Sequence, residues 1–187
     1  IASIPGLHDA DVGRALGAKL VGADIVLVTG GQSAGTAEQY ARFLWACDGR
    51  LDVALNDRSA HWGTFAARPD EERYGELLNA TLRRPDLLGN TLGHLPYALS
   101  RQALDALGPS ALAVPPKAHA AALLGGLKVG TAGTVAVDRS ERTRPGHWRR
   151  TAGDYIEAWS EAFALRGSRL HFPDTFRNRS ALGAWTR

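Results

Sequence analysis

Cysteine is nearly absent from this chain of 187 residues, and methionine is absent altogether. The one cysteine, Cys47, excludes an internal disulfide and any zinc site built from two or four cysteines. A lone free cysteine is typical of a reducing compartment, so we expect a cytoplasmic protein. Cys47 lies in an apolar stretch, and we expect its side chain to be buried in the core rather than reactive.

Long hydrophobic runs are also missing. No apolar run approaches the ~20 residues that a membrane-spanning helix needs. The chain opens I-A-S-I-P-G, without the basic stretch and apolar run that predict a signal peptide. Hydrophobic residues make up 44% of the chain and charged residues 22%, which is enough apolar material for a packed core in one domain.

The excess of positive charge is small, with a formal net charge of +3. Basic residues concentrate between residues 139 and 150, which indicates a solvated loop or contact with an anionic partner. Over residues 148–187, aromatic residues are interleaved with arginines. This mixture suits peripheral contact with a membrane surface, a homodimer interface or a helix packed on the sheet. No recognised motif favours nucleic acid as a partner.

Apolar strand patterns alternate with helical patterns along the chain. Residues 24–29, 51–55 and 134–137 read as strands, whereas residues 86–100 are predicted to be irregular. Strands without polar alternation are typical of a parallel sheet covered on both faces. We therefore expect a mostly parallel twisted sheet with helices on both faces, a Rossmann-like three-layer sandwich. Residues 1–150 would form this α/β domain, and residues 151–187 a C-terminal helix and tail packed on it.

A glycine-rich turn follows the first of these strands. Residues 30–36 read G-G-Q-S-A-G-T and lead directly into a predicted helix. Such a turn allows a ligand to approach the backbone closely, and the helix start offers free N–H groups to an anion. The turn lacks the glycine spacing of a dinucleotide fold and the lysine of a phosphate-binding loop. A purely structural tight turn remains the alternative.

Residues 28–38, V-T-G-G-Q-S-A-G-T-A-E, resemble the V-D-D-G-S-T-D-G-T-A-E signature of family 2 glycosyltransferases. Residues 97–108 are similar to the A-L-R-R-E-A-L-x-x-L-G segment of that family, and residues 123–140 to its later R-x-x-G-x-x-V-x-x-x-P-x-A-x-V-x-H-R-S segment. The resemblance covers about residues 2–165. It implies a glycosyltransferase-A-like fold, and an enzyme that moves a sugar from a nucleotide diphosphate-sugar donor to an acceptor hydroxyl.

The resemblance also implies roles for particular residues. The family has a carboxylate in the turn where this chain has Thr29 and Gly30, and its D-x-D metal motif corresponds to Asn56-Asp57-Arg58. Asp57 would thus hold a catalytic Mg²⁺ or Mn²⁺ on the diphosphate, since these ions prefer oxygen ligands. Contact with the donor would come from Pro5, Thr29, Gly30, Gly31, Ser33 and Arg58.

The base that deprotonates the acceptor has no obvious carboxylate. The family's E-D pair corresponds to residues 113–119, where His119 alone titrates near neutral pH. His119 is therefore the predicted base. His94 and Tyr97, in a Gly- and Pro-rich segment, are predicted to contact the acceptor, because such segments tend to lie at the ligand-binding edge of a sheet.

Two alternatives stay open. The departures from the family's turn carboxylate, metal motif and base motif also fit a glycosyltransferase-like domain that binds a ligand or partner without catalysis. Residues 23–31, A-D-I-V-L-V-T-G-G, additionally resemble the A-D-x-V-x-x-T-G-G of molybdopterin-binding domains. The resemblance to molybdopterin-binding domains does not explain the matches to glycosyltransferases at residues 97–108 and 123–140.

Overall fold

The computed structural model describes residues 10–30, 34–136, 147–174 and 177. These residues form four strands and six α-helices in the order α1, β1, α2, β2, α3, β3, α4, α5, β4, α6. The strands are β1 (Ile25–Val28), β2 (Val53–Asn56), β3 (Tyr97–Ser100) and β4 (Val129–Gly133). The helices are α1 (Ala10–Leu20), α2 (Ala37–Cys47), α3 (Asp70–Thr81), α4 (Arg101–Leu107), α5 (Pro115–Leu124) and α6 (His147–Arg166).

The four strands form one small mixed sheet in the order β1-β3-β2-β4. Strand β3 pairs antiparallel with both β1 and β2, and only β2 and β4 pair in parallel. The prediction of a mostly parallel, Rossmann-like and glycosyltransferase-A-like sheet is therefore wrong. It failed because β3 lies within the segment predicted to be irregular. In addition, β4 covers residues 129–133, whereas residues 134–136 of the predicted strand 134–137 are not in a strand and residue 137 lies outside the described residues.

Strand β3 is hidden in the sequence by its surroundings. It has only four residues, follows a cis Leu95-Pro96 peptide and is succeeded at once by α4. Ser100 is the last residue of the strand, and its hydroxyl accepts a hydrogen bond from the Ala103 amide and caps α4. Four residues are too few to show a period of two beside a helix that begins without a break.

The strand directions determine which ends of the strands lie at the same edge of the sheet. Because β1 and β2 both oppose β3, and β4 is parallel to β2, strands β1, β2 and β4 all point the same way. Their carboxyl ends therefore lie at one edge of the sheet, together with the start of β3. We call this edge, formed by Thr29–Gly30, Asn56–Arg58, residues 133–135 and residues 93–96, the strand-end edge.

Helices cover both faces of the sheet. On one face, Phe43 and Cys47 of α2 pack with Ala54 and Ala98, and Cys47 is 5% exposed, which confirms its predicted burial. The opposite face buries the larger core, with helices α1, α4 and α5 against it. Its members are Ala18, Val53, Leu55, Leu87, Leu92, Tyr97, Leu99, Ala103, Leu104, Leu112, Ala118, Ala122 and Val129.

A third cluster lies between helices, away from the sheet. It joins Leu78 of α3 and Ala120 of α5 to Tyr155 and Ala158 of α6. The C-terminal helix, predicted within residues 151–187, therefore exists, begins earlier at His147 and packs against α3 and α5. None of the helices in the described ranges is long and apolar enough to cross a membrane.

Candidate functional site

Asn56 holds the strand-end edge together. Its side-chain amide donates to the carbonyl oxygens of Leu95 at 2.8 Å and Val135 at 2.9 Å, and its oxygen accepts from the Val135 amide at 2.9 Å. The side chain is fully buried. It thus ties the end of β2 to the segments before β3 and after β4, with every polar atom satisfied, as a buried amide requires.

Asp57 follows at the same edge. Its amide donates to the Gly133 carbonyl at 2.8 Å. Its Oδ1 accepts from the amide and hydroxyl of Ser59, at 3.0 and 2.7 Å, and more weakly from Asn90 Nδ2 at 3.4 Å. Partial burial disfavours the charged carboxylate, but these hydrogen bonds outweigh it and hold the pKa of Asp57 below its usual value. Within the described ranges no hydrogen bond reaches Oδ2, so this ionised oxygen remains open to a ligand.

Arg58 turns away from the strand-end edge. Its guanidinium forms an ion pair of 2.9 Å with Glu72 in the first turn of α3, and the two side chains are 7% and 1% exposed. The Arg58 amide donates to Asn90 Oδ1 at 3.0 Å. A guanidinium committed to a buried carboxylate does not reach a phosphate at the surface. This geometry argues against the predicted donor contact of Arg58.

The predicted acceptor residues lie beneath the edge rather than on it. His94 and Tyr97 are both fully buried. His94 Nε2 lies 3.7 Å from Glu71 Oε1, and Glu71 is partly exposed at the start of α3. Burial raises the pKa of Tyr97 to about 12, so its hydroxyl stays protonated. Both side chains support the edge, and neither offers a surface to an acceptor.

His119 lies far inside the helical layer. It is fully buried in α5, and its Nε2 is 2.7 Å from Asn79 Oδ1 in α3. The Asn79 amide already donates to the carbonyls of Leu88 and Asn90, so its oxygen is the acceptor and His119 carries its proton on Nε2. Burial, with the Arg84 charge, lowers the pKa of His119 to about 3. A neutral imidazole without solvent contact is poorly placed to serve as the predicted base.

The glycine-rich turn is described only at its ends. Thr29 is exposed and Gly30 half-buried at the carboxyl end of β1, which brings them to the same edge as Asp57. At the far end of the turn, Thr36 and Gln39 form a capping box at the start of α2. Three predicted donor residues, Pro5, Gly31 and Ser33, lie outside the described residues, as do residues 139–146 of the basic cluster.

Sequence reasoning missed Asn90, which links the site together. Asn90 is 2% exposed and connects Asp57, the Arg58 amide and, through its carbonyl, Asn79. Its G-N-T context is typical of a turn, so nothing in the local pattern distinguished it. The described residues contain no group of three or more His, Cys, Asp or Glu side chains arranged to hold a metal ion. Asp57, the predicted metal ligand, therefore does not belong to such a group among the described residues.

Comparison with known proteins adds no identity to this geometry. No protein-family model, curated protein or solved structure matches the chain.

Proposed function

We propose that this domain binds a nucleotide diphosphate-sugar at the strand-end edge and transfers the sugar to an acceptor hydroxyl. The observation that supports the proposal best is the state of Asp57. Its carboxylate is ionised and held by hydrogen bonds to Oδ1, while Oδ2 has no partner in the described ranges. In α/β proteins, ligands commonly bind outside the carboxyl ends of parallel strands. Asp57 follows β2 at such an end, beside the end of its parallel neighbour β4, and the end of β1 lies at the same edge of the sheet.

A single carboxylate is compatible with a metal-bound diphosphate. Mg²⁺ keeps several of its waters and is usually held by one or two carboxylates together with substrate phosphates, rather than by a cage of protein ligands. Asp57 Oδ2 would supply that one ligand. The ion would contribute charge to offset the negative diphosphate leaving group. Thr29 and Gly30 would contact the donor across the edge, where Thr29 is exposed and Gly30 half-buried.

The acceptor would need a base other than His119. Glu71, in the first turn of α3, has a partly exposed carboxylate that lies against buried His94 and close to Gly93. A carboxylate in this position could accept a proton if the acceptor lies over the start of α3. Glu71 therefore replaces His119 as the group that the proposal assigns to the acceptor side.

A second candidate function is binding of the nucleotide-sugar without catalysis. It is favoured by the buried, neutral state of His119 and by the lack of a multi-residue metal cluster in the described part of the chain. Both candidates require the same ligand at the same edge. They differ in whether nucleoside diphosphate is released.

The test is titration of the purified protein with UDP-, GDP- and TDP-sugars by calorimetry, with and without Mn²⁺, followed by an assay for release of nucleoside diphosphate. Asp57→Asn keeps the shape of the side chain and its acceptor for Ser59 but removes the charge. It should weaken metal-dependent binding by about tenfold or more, the size of a charge-assisted contact. Asp48→Asn, at an exposed carboxylate after α2, is the matched control and should bind normally.

The outcomes distinguish the transferase from the non-catalytic binding domain. Metal-dependent binding with release of nucleoside diphosphate supports the transferase, and Glu71→Gln should then lower turnover with little change in donor affinity. Binding without release supports the non-catalytic domain. Absence of binding by every donor would contradict both.

A further inference from the structure

The C-terminal ends of three helices meet at an open cavity of about 320 Å³. Thr81 at the end of α3, Leu124 at the end of α5 and Arg166 at the end of α6 all line it. Helix α3 carries Glu72 beside Arg58 in its first turn and ends at this cavity, so the cavity lies at the opposite end of α3 from the strand-end edge. It is a separate place on the molecule.

The lining of this cavity is basic. Arg83, Arg166 and His171 contribute to it, and none of the described residues adds a carboxylate. Most described arginines form an ion pair with an aspartate or glutamate. Within the described ranges the exceptions are Arg50, Arg83, Arg149 and Arg166. Two of these four unpaired guanidinium groups therefore lie at one cavity.

Capping of the helix ends accounts for only part of this charge. Cations are favoured near helix C-termini because the last carbonyl groups lack partners and carry partial negative charge. Here the carbonyls of residues 121–123 at the end of α5 already accept from the amides of residues 125–127. Arg166 Nη2 donates to the remaining carbonyl, Leu124 O, at 3.2 Å. Arg83 makes no side-chain hydrogen bond to any described residue, so its charge is available.

The backbone brings these groups to the cavity at some conformational cost. Arg83 has a φ of 65° and Leu170 a φ of 50°, and both residues line the cavity. Non-glycine residues rarely adopt this left-handed region, and such positions occur often where a ligand is held. A continuing helix would carry residue 83 around the axis of α3. The positive φ of Arg83 ends the helical path instead, and Arg83 lines the cavity just after α3.

We propose that this cavity is a binding site for a phosphate monoester. Two guanidinium groups without carboxylate partners can each donate in parallel to phosphate oxygens, and the His171 ring and Thr81 hydroxyl add polar groups at the same wall. The volume of about 320 Å³ is at the lower end of the range for small-molecule sites. The proposal is independent of nucleotide-sugar binding at the strand-end edge.

The phosphate has two possible sources. An apolar groove between α3 and α6 adjoins the cavity and shares Thr81 with it. Leu77, Ile156 and Phe163 line this groove and are 52%, 62% and 42% exposed. A soluble phosphorylated metabolite would use the cavity alone. An anionic lipid would place its phosphate in the cavity and its hydrocarbon chain along the groove.

The experiment measures both sources on the full chain. Glycerol 3-phosphate is titrated by calorimetry, and vesicles of phosphatidylcholine with and without phosphatidic acid are tested by co-sedimentation. Arg83→Gln and Arg166→Gln should each weaken binding by about tenfold, since each removes a charge-assisted contact. Arg50→Gln is the matched control. Arg50 is also unpaired and also donates to a carbonyl, Trp45 O at 3.5 Å, but lies away from the cavity.

Thermal unfolding of each variant verifies that it is folded. Binding of glycerol 3-phosphate that depends on Arg83 and Arg166 supports the site with a soluble ligand. Binding only to vesicles that contain phosphatidic acid, with the same dependence, supports it with a lipid. The proposal is overturned by absence of both kinds of binding at millimolar phosphate, or by an equal loss in Arg50→Gln, because the effect would then be one of general charge.

Discussion

His119 Nε2 lies 2.7 Å from Asn79 Oδ1, and this hydrogen bond joins α5 to α3 in the fully buried space between them. The Asn79 amide completes the link by donating to the carbonyls of Leu88 and Asn90. A residue predicted to be a catalytic base is thereby part of the interior, where it connects two helices to the segment that carries Asn90 beneath Asp57.

The stability of the protein should fall with acidification through His119. Its pKa is about 3 in the folded chain, against an ordinary value of 6.5, so the unfolded state binds the additional proton between those two values. The contribution of His119 is fully present above pH 6.5 and is lost progressively toward pH 3. The slope is at most about 1.4 kcal/mol per pH unit. Urea unfolding across this range measures it.

A glutamine at this position gives the comparison. His119→Gln retains a donor for Asn79 but does not titrate, so its unfolding free energy should depend less on pH than that of the unmodified chain. His61→Gln, at an exposed histidine, is the control and should leave the dependence unchanged. Identical pH profiles for the unmodified chain and His119→Gln would contradict the prediction.

The buried ion pair between Arg58 and Glu72 should be costly to break. Glu72→Gln leaves a guanidinium 7% exposed without its counter-charge, and we expect a loss of about 3–5 kcal/mol in the free energy of unfolding. Glu38→Gln breaks the exposed pair with Arg42 and should cost less than about 0.5 kcal/mol. The double variant Arg58→Met with Glu72→Leu should recover much of the loss. A loss of less than about 1 kcal/mol in Glu72→Gln would contradict the prediction, because it would mean that the Arg58 guanidinium is solvated without Glu72.

The lowered pKa of Asp57 is directly measurable. Partial burial works against ionisation, and the hydrogen bonds from Ser59 and Asn90 overcome it, so an NMR titration of the Asp57 carboxyl carbon should give a midpoint below 3.8. Ser59→Ala and Asn90→Ala each remove a donor and should raise this midpoint. Because the pKa is depressed, any stability from these contacts is present above the ordinary pKa and lost as pH falls through the folded value. An unchanged midpoint in both variants would show that the contacts are not formed.

Cys47 should be unreactive while the protein is folded. Burial, reinforced by the Asp52 charge, raises the pKa of its thiol to about 11 despite a hydrogen bond with the Ala54 backbone. The thiol is protonated in neutral solution, and only the thiolate reacts. Mass spectrometry after treatment with iodoacetamide should show alkylation in urea and none without it. Rapid alkylation without denaturant would place Cys47 at an accessible surface.

Local sequence signals predicted the elements whose causes are local. The strand β1, the helix α2 that follows the glycine-rich turn and a helix within residues 151–187 were all predicted, because each depends on residues a few positions apart. Thr29, Gly30 and Asp57 were predicted as one site, and the strand directions bring them to one edge.

The sequence by itself determined the composition of the core, the helices and the residues at the ends of β1 and β2. Only the tertiary structure decided the insertion of β3 as an antiparallel strand, the pairing of Arg58 with Glu72 and the burial of His94 and His119. These depend on contacts between residues distant along the chain. A side chain such as Arg58 has the same local sequence whether it faces a ligand or a carboxylate on α3, and the free energy of desolvating its charge favours the second only once α3 is packed beside it.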